Sequence, residues 1–366
     1  MKPNGKNERI KRTYARYLKA AKRHGEASID TALAAIDRFE CYTKRRDFAQ
    51  FHIEQAIAFK DHLAAQLNER TGKPLSLPTQ LHTLAVLRSF VIWLADQSGY
   101  RSRIRHSDAD YFSLSLKQTA IARAHRPVEG PTIEQVRHVV EHMAHCSDIE
   151  KRNRAVIACA ILTGARDDAL ASLRLKHIDM GERVLRQDAG AVRTKASKSI
   201  ETWFFPVGDL FVDVVEDWVR FLKDERQWGL DDPLFPKTKM AASENCLNRP
   251  AGLERTCWSN AAPIRKIFRD AFVSAGLPYF NPHSLRKTLA RLGLERCRTP
   301  EEFKAWSQNY GHNDVLTTFT SYGQIDRQRQ AEIICALWKP APKVGPGNEA
   351  LIRSAVEFAL SQSSRR

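Results

Sequence analysis

Apolar residues recur every three or four positions through the first third of the chain, a spacing that is typical of amphipathic helices. The pattern predicts a basic helical arm over residues 8–23, followed by three helices, the first of them capped by Ser28. The arm could lie along a phosphate backbone or remain a solvated leader. The three helices share one feature, an apolar stripe, made by Ile29, Leu33, Ile36 and Phe39, by Ile53, Ile57, Phe59, Leu63 and Leu67, and by Leu81, Leu84, Leu87, Val91 and Leu94.

A proline- and glycine-rich break at residues 125–131 ends this helical region. We therefore expect an N-terminal arm at residues 1–24 and an all-helical domain at residues 25–124. Thr132 and Gln135 have the spacing of a capping box, which predicts that a new helix starts there. A second domain is expected over residues 128–338, and a proline- and glycine-rich linker with a last short helix over residues 339–366.

The second domain combines helical periodicity with a few strand-like segments. Helices are predicted around residues 153–175, around Trp218 and over residues 264–273. Strand, turn and strand are predicted over residues 184–207, with residues 192–198 in a strand, and residues 245–258 are predicted to be a loop. The expected fold class is mainly α with a small β-sheet (α+β).

Charge and cysteine content indicate the class of partner and the cellular compartment. The 366 residues include 58 Lys and Arg against 42 Asp and Glu, a formal charge of +16 that favours a polyanionic partner such as nucleic acid. The 7 cysteines form no Cys-x-x-Cys pair, which is typical of reduced thiols in the cytoplasm. The N-terminus lacks the apolar core of a signal peptide, and no apolar run reaches membrane-spanning length.

One short motif suggests a different chemistry. His138-Val-Val-Glu141-His142 matches the His-x-x-Glu-His pattern of a class of zinc peptidases. On a helical wheel, however, Val136, Val139 and Val140 share one face and the histidines share the opposite, polar face. A solvated helix face explains the histidines without a metal ion, and we favour that interpretation.

A second constellation lies near the C-terminal end. His283 and Arg286 are three residues apart, so a helix would place both side chains on one face. An arginine offers a planar fork for phosphate oxygens, a histidine moves protons near neutral pH, and a tyrosine can be a covalent nucleophile. Arg166, straight after the bend at Gly164, is either part of such a site or a C-terminal helix cap.

Taken in order, these residues carry a resemblance to the tyrosine recombinase, or phage integrase, family. The shared elements are Thr163-Gly164-x-Arg166 followed by Leu170 and Leu173, Lys195 in a β-hairpin, His283-x-x-Arg286, Gly311-His312 and Tyr322. The helical domain resembles the core-binding domain of that family. Its basic residues are spread over several helices, which favours a clamp around DNA over a single recognition helix.

The resemblance implies a covalent mechanism that needs neither metal ion nor ATP. Tyr322 would attack the scissile DNA phosphate to give a 3′-phosphotyrosyl enzyme and a free 5′-hydroxyl. Lys195, favoured over Lys198, would protonate the departing oxygen, and His283 would act as general base and acid. Such an enzyme works in the cytoplasm on double-stranded DNA, as a homotetramer.

The remaining site residues would bind the phosphate. By resemblance, Arg166 and Arg286 would hold its non-bridging oxygens and His312 would donate a hydrogen bond to it. Cofactors are not implied. The segment 350–360 resembles a tail that family members pack onto a neighbouring subunit, although packing on its own domain is the alternative.

The sequence departs from the family pattern in two places. The usual acidic residue three positions after the first arginine is replaced by Ala169, with Asp167 and Asp168 just before it. Asp168 could take over its supporting contact. The spacing from His312 to Tyr322 is also one residue longer than is common, and Tyr310 is a rival tyrosine on the wrong side of the motif.

Two other functions fit the same residues. A type IB topoisomerase would use the same chemistry without a specific site or partner protomers. A catalytically silent DNA-binding regulator would keep its activity after Tyr322→Phe. We expect a site-specific recombinase or integrase.

Overall fold

The computed structural model describes residues 3–69, 71–124, 130–194, 198–242 and 248–311. The chain divides into two compact units between Arg126 and Pro127. The described helices of the first unit are α1 (Gly5–Ala20), α2 (Glu26–Tyr42), α3 (Ile53–Ala65), α4 (Leu77–Ala95) and α5 (Leu116–Arg123), with 3₁₀ turns at Phe48–Gln50 and His106–Tyr111.

An aromatic core holds the first unit together. Phe39 meets the rings of Phe59 and Phe112 edge to face, with centroids 5.1 and 5.3 Å away. Tyr14 and Leu18 of α1 are buried in the same core. The predicted arm is therefore a helix that packs into the helical unit, because Tyr14 and Leu18 give it an apolar face.

Polar groups also tie α1 to α2. The buried carboxylate of Glu40 accepts hydrogen bonds from Lys11 Nζ at 2.7 Å and from Asn7 Nδ2 at 2.9 Å. The prediction that Ser28 caps α2 was wrong, since the helix begins at Glu26 with Gly25 at the N-cap. Ser28 lies inside the first turn.

The second unit is built around α7. The described helices of the second unit are α6 (Ile133–His142), α7 (Asp148–Thr163), α8 (Asp167–Leu170), α9 (Asp209–Arg220, continued by a π turn at Phe221–Glu225), α10 (Ala262–Ser274), α11 (Ser284–Arg296) and α12 (Pro300–Asn309). Every residue of the stretch 155–163 is buried. A helix that is apolar on all sides belongs in the interior, and α6, α9, α10 and α11 pack around it.

The capping box predicted at the start of α6 is confirmed. Gln135 N donates to Thr132 Oγ1 at 3.1 Å, and Thr132 N donates to Gln135 Oε1 at 2.8 Å. Just before it, Gly130 packs against the first turns of α11, where a Cβ would come within 2.5 Å of the Ser284 carbonyl oxygen. Thr288 also donates to the Pro131 carbonyl.

A three-stranded antiparallel sheet has the order β1 (Ile178–Asp179), β2 (Val184–Gln187), β3 (Ile200–Trp203), with Val184 opposite Trp203. The prediction of a strand beginning at residue 192 was wrong for the described part of it. Val192 N donates to the Asp188 carbonyl at 2.8 Å and Thr194 N to the Val192 carbonyl, so the chain turns there instead of extending.

The loop predicted at residues 245–258 was also wrong. Residues Asn248–Cys257 form β5, which pairs antiparallel with β4 (Pro236–Ala242). Register shifts between Pro236 and Lys237 and between Thr238 and Met240 let this ribbon accommodate Pro250 opposite Met240. No helix in the described ranges is long and apolar enough to cross a membrane.

Candidate active site

The best-defined side chain of the candidate site is Arg286 in the first turn of α11. Only 3% of it is exposed. Its Nη1 donates to the Gly164 carbonyl at 2.6 Å and its Nη2 to the Tyr310 carbonyl at 3.2 Å. The guanidinium also lies over the Tyr310 ring, 4.6 Å from the centroid. Three segments that are remote in sequence thus meet at one cation.

Glycine at position 164 makes the first of these contacts possible. It is the C-cap of α7 and has φ +59°, in the left-handed region where a side chain is disfavoured. An added Cβ would lie 3.2 Å from Leu289 Cδ1 and 3.3 Å from Tyr310 Cε1. The bend aims the Gly164 carbonyl at α11, and it leads directly into Arg166.

Arg166 begins the next element and does not end the previous one. It is the N-cap of the short α8, with extended backbone angles, whereas Gly164 is the C-cap of α7. The C-cap residue of α7 is therefore Gly164, not Arg166. Its side chain is half-buried, and its charge acts on His283.

His283 is the N-cap of α11, at the surface of the unit. Its pKa lies below the ordinary value, first because part of the ring is desolvated and then because Arg286, Arg166 and Lys287 are positively charged; Asp167 opposes them. The structure thus brings Arg166, His283 and Arg286 together. A lowered pKa keeps the imidazole neutral near pH 7, the form that can accept a proton.

Ala169 stands where the family pattern has an acidic residue, and the two aspartates before it each pair with an arginine. Ala169 is 1% exposed and packs in the core. Asp168 Oδ1 accepts from Arg193 Nε at 2.9 Å, and Asp167 Oδ2 accepts from Arg265 Nε at 2.6 Å. Arg193 also donates to the Trp258 carbonyl at 3.0 Å. Asp168 thereby holds the side chain of Arg193, two residues before the segment 195–197.

Three of the predicted site residues, Lys195, His312 and Tyr322, lie outside the described residues, as does the segment 350–360. Lys198, the alternative to Lys195, is exposed.

Tyr310 is deeply buried and was not predicted to have a supporting role. It is 1% exposed, its hydroxyl donates to the Arg286 carbonyl at 3.0 Å, and its ring packs 5.0 Å from that of Phe205. A hydroxyl in this position cannot reach a DNA phosphate. Gly311, which follows, has φ +72° and leaves room for Ile200, since a Cβ would lie 2.8 Å from Ile200 Cδ1.

The histidines of α6 have local partners. His138 Nε2 lies 3.3 Å from the Ala275 carbonyl oxygen, and His142 Nδ1 lies 2.9 Å from the His138 carbonyl oxygen. Val136, Val139 and Val140 on the opposite face are fully buried, as the helical wheel predicts. Within the described parts of the chain, no group of three His, Cys, Asp or Glu side chains is arranged to hold a metal ion.

Comparison with known proteins decides the family. The family model named "Phage integrase family" matches residues 132–329, more than half of the chain. The chain belongs to the phage integrase family. The resemblance stated from the sequence is confirmed, and so is the mainly helical α+β fold class. No curated protein sequence matches the chain.

Solved structures of integrases and recombinases share the fold. The Tn1549 transposon integrase in complex with transposon right end DNA is 14% identical, with a TM-score of 0.55, and the match covers 90% of this chain and 99% of that one. A lambda integrase dimer bound to a core site is 12% identical, with a TM-score of 0.52 and coverage of 93% and 99%. The XerH site-specific recombinase bound to palindromic difH substrate is 17% identical, with a TM-score of 0.55 and coverage of 88% and 83%.

Proposed function

We propose that this chain is a site-specific DNA recombinase that cuts and rejoins strands through a 3′-phosphotyrosyl intermediate. One observation supports this most directly. The fold brings Arg166 and the His283–Arg286 pair to one place, although Arg286 and the Gly164 carbonyl that it binds are 122 residues apart. Two guanidinium groups beside a neutral imidazole suit a phosphodiester that gains negative charge as it is attacked.

In the proposed reaction the Tyr322 oxygen attacks phosphorus, and the bond from phosphorus to the 5′ oxygen breaks. His283 takes the proton from the tyrosine, and Lys195 gives a proton to the departing 5′ oxygen. The DNA 3′ end is then linked to Tyr322, so the bond energy is kept. Attack by another 5′-hydroxyl reverses these steps and joins the strand without ATP.

Arg166 and Arg286 would neutralise the phosphate oxygens while five oxygens surround the phosphorus, and His312 would donate a hydrogen bond to them. Because two hydrogen bonds tie the Arg286 guanidinium to main-chain carbonyls, it is already oriented before DNA binds. Orientation in advance removes a reorganisation cost from the reaction step.

The proposed partner is double-stranded DNA, held by a homotetramer during strand exchange. The formal charge of +16 supports a polyanionic partner. The Tn1549, lambda and XerH proteins were each solved with DNA. We place the helical unit at residues 25–124 as the clamp and residues 128–338 as the catalytic domain, and the segment 350–360 as a contact between protomers.

Covalent trapping tests this proposal. The protein is incubated with supercoiled plasmids that carry fragments of the source genome, quenched with detergent, and the DNA that remains attached to protein is sequenced. We expect an adduct that forms with EDTA present and is absent from Tyr322→Phe. Tyr279→Phe, which removes a hydroxyl from a partly exposed tyrosine outside the site, should still give the adduct.

The outcomes separate the alternatives. Adducts at one recurring sequence, with exchange between two copies of it, support the recombinase. Plasmid relaxation at many sequences without exchange would favour a type IB topoisomerase. Tight DNA binding with no adduct, unchanged in Tyr322→Phe, would refute the enzyme and favour a DNA-binding regulator.

A further inference from the structure

Tyr310 contacts Arg286, the arginine proposed to bind the phosphate, in three ways. Its carbonyl accepts from Arg286 Nη2 at 3.2 Å, its ring lies under the guanidinium at 4.6 Å, and its hydroxyl donates to the Arg286 carbonyl at 3.0 Å. The first contact belongs to the main chain, and the other two depend on the side chain. Any residue could supply the carbonyl, but only an aromatic side chain supplies the ring.

The surroundings hold the Tyr310 ring in place. It is packed against Phe205, and the Gly164 bend passes close to its edge. The chain enters position 310 from α12, where Tyr310 is the C-cap and Trp306 packs 4.9 Å from Phe205. The Tyr310 ring is therefore buried and restrained where it contacts one face of the guanidinium.

The Tyr310 hydroxyl also links the end of α12 to the first turn of α11. The hydroxyl donates a hydrogen bond to the Arg286 carbonyl, and the ring contacts the Arg286 guanidinium. Tyr310 therefore holds both the backbone and the side chain of Arg286. The two bonds from Arg286 to carbonyls use two of the five N–H donors that a guanidinium carries. The two carbonyls bind the edge of the Arg286 guanidinium, and the Tyr310 ring contacts its face.

We propose that Tyr310 is a positioning residue that orients the Arg286 guanidinium for the scissile phosphate, and that it is not a nucleophile. This inference rests on the proposed recombinase function. The Tyr310 side chain is buried and does not itself contact DNA, so we assign its effect on the reaction to its contacts with Arg286.

The test compares Tyr310→Leu and Tyr310→Phe in single-turnover adduct formation, on the DNA sequence recovered by covalent trapping. Leucine removes ring and hydroxyl, whereas phenylalanine keeps the ring. We expect Tyr310→Leu to lower the rate on the order of 10–100-fold, the effect of a small misplacement of a catalytic group. Tyr310→Phe should lose only a few-fold and still form the Tyr322 adduct.

A neutral substrate distinguishes positioning from loss of stability. A methylphosphonate at the scissile position carries no negative charge for Arg286 to neutralise, so the gap between wild type and Tyr310→Leu should nearly close. Phe272→Leu is the matched control, because it shortens a buried aromatic residue of the same unit that packs against Phe268 and Phe280. Phe272→Leu should lower the rate by the same factor on methylphosphonate DNA and on unmodified DNA.

Each result decides the inference. A Tyr310→Leu defect of the same size on both substrates, or no defect at all, would overturn the positioning role. Loss of the adduct in Tyr310→Phe would overturn the claim that it is not a nucleophile. If the wild-type protein gives no adduct, the proposed function itself has failed, which is a separate outcome.

Discussion

Replacing Gly164 by alanine should destabilise the second unit more than the same change at another left-handed glycine. Gly164 has φ +59°, and an alanine there loses roughly 1 kcal/mol from the backbone conformation alone. Its Cβ would also press on Leu289 and Tyr310 at 3.2 and 3.3 Å, which adds about 2 kcal/mol of overpacking. The expected loss in the free energy of unfolding is about 3 kcal/mol in all.

Gly276 is the matched control. It has φ +72° but nothing within 4 Å of the position of a Cβ, so Gly276→Ala should lose only about 1 kcal/mol. Both substitutions reduce the freedom of the unfolded chain in the same way, and that effect cancels in the comparison. The difference between the two variants therefore measures the packing around the Gly164 bend.

Thermal unfolding followed by tryptophan fluorescence is a suitable assay, because all but one of the 7 tryptophans lie after Arg126. In a domain of this size, 1 kcal/mol corresponds to about 2–4 °C in Tm. We expect a decrease of about 6–12 °C for Gly164→Ala and of about 2–4 °C for Gly276→Ala. Equal decreases would show that the bend has room for a side chain and would refute the packing argument.

Three further predictions concern charge. Glu40→Gln should destabilise α1 and α2 by about 2 kcal/mol in hydrogen exchange, because Lys11 loses its buried carboxylate partner and keeps only the more exposed ones, Glu8 and Asp37. Glu26→Gln, at an exposed ion pair, should have little effect. Histidine NMR should give His283 a pKa below its ordinary value, and Lys287→Gln should raise it, since one of the repelling charges is gone; an unchanged value would contradict the assigned cause. DNA affinity should fall on the order of 10³-fold between 50 and 200 mM salt, and a flat response would exclude extensive phosphate contacts.

Helical periodicity was a reliable guide wherever a helix has one apolar face. It located α3, α4, α6 and α10, because each buries a stripe against a core. The alternation of apolar and polar residues did not reveal β5, because Pro250 and Gly252 interrupt it and Leu253 is the sole long aliphatic residue in that strand. Helical periodicity also did not reveal α12, whose large apolar residues, Phe303 and Trp306, are too few to show a period.

The candidate site was predictable only in part. Spacing along a helix placed His283 and Arg286 together, but their approach to Arg166 depends on how α7 and α11 pack, and only the resemblance to a family suggested it. Two of the groups that bind Arg286 are the main-chain carbonyls of Gly164 and Tyr310. Every residue has a carbonyl, so no residue type in the sequence marks those acceptors.

The contact between Gly130, Pro131 and α11 matters for anyone who wishes to express the second unit by itself. The family match begins at residue 132, which is an obvious place to start a fragment. Such a fragment would lose the Pro131 carbonyl that binds Thr288 and would expose the side of α11 that Gly130 covers. That helix also carries Arg286, so the useful cloning boundary lies upstream of Gly130, before the match begins.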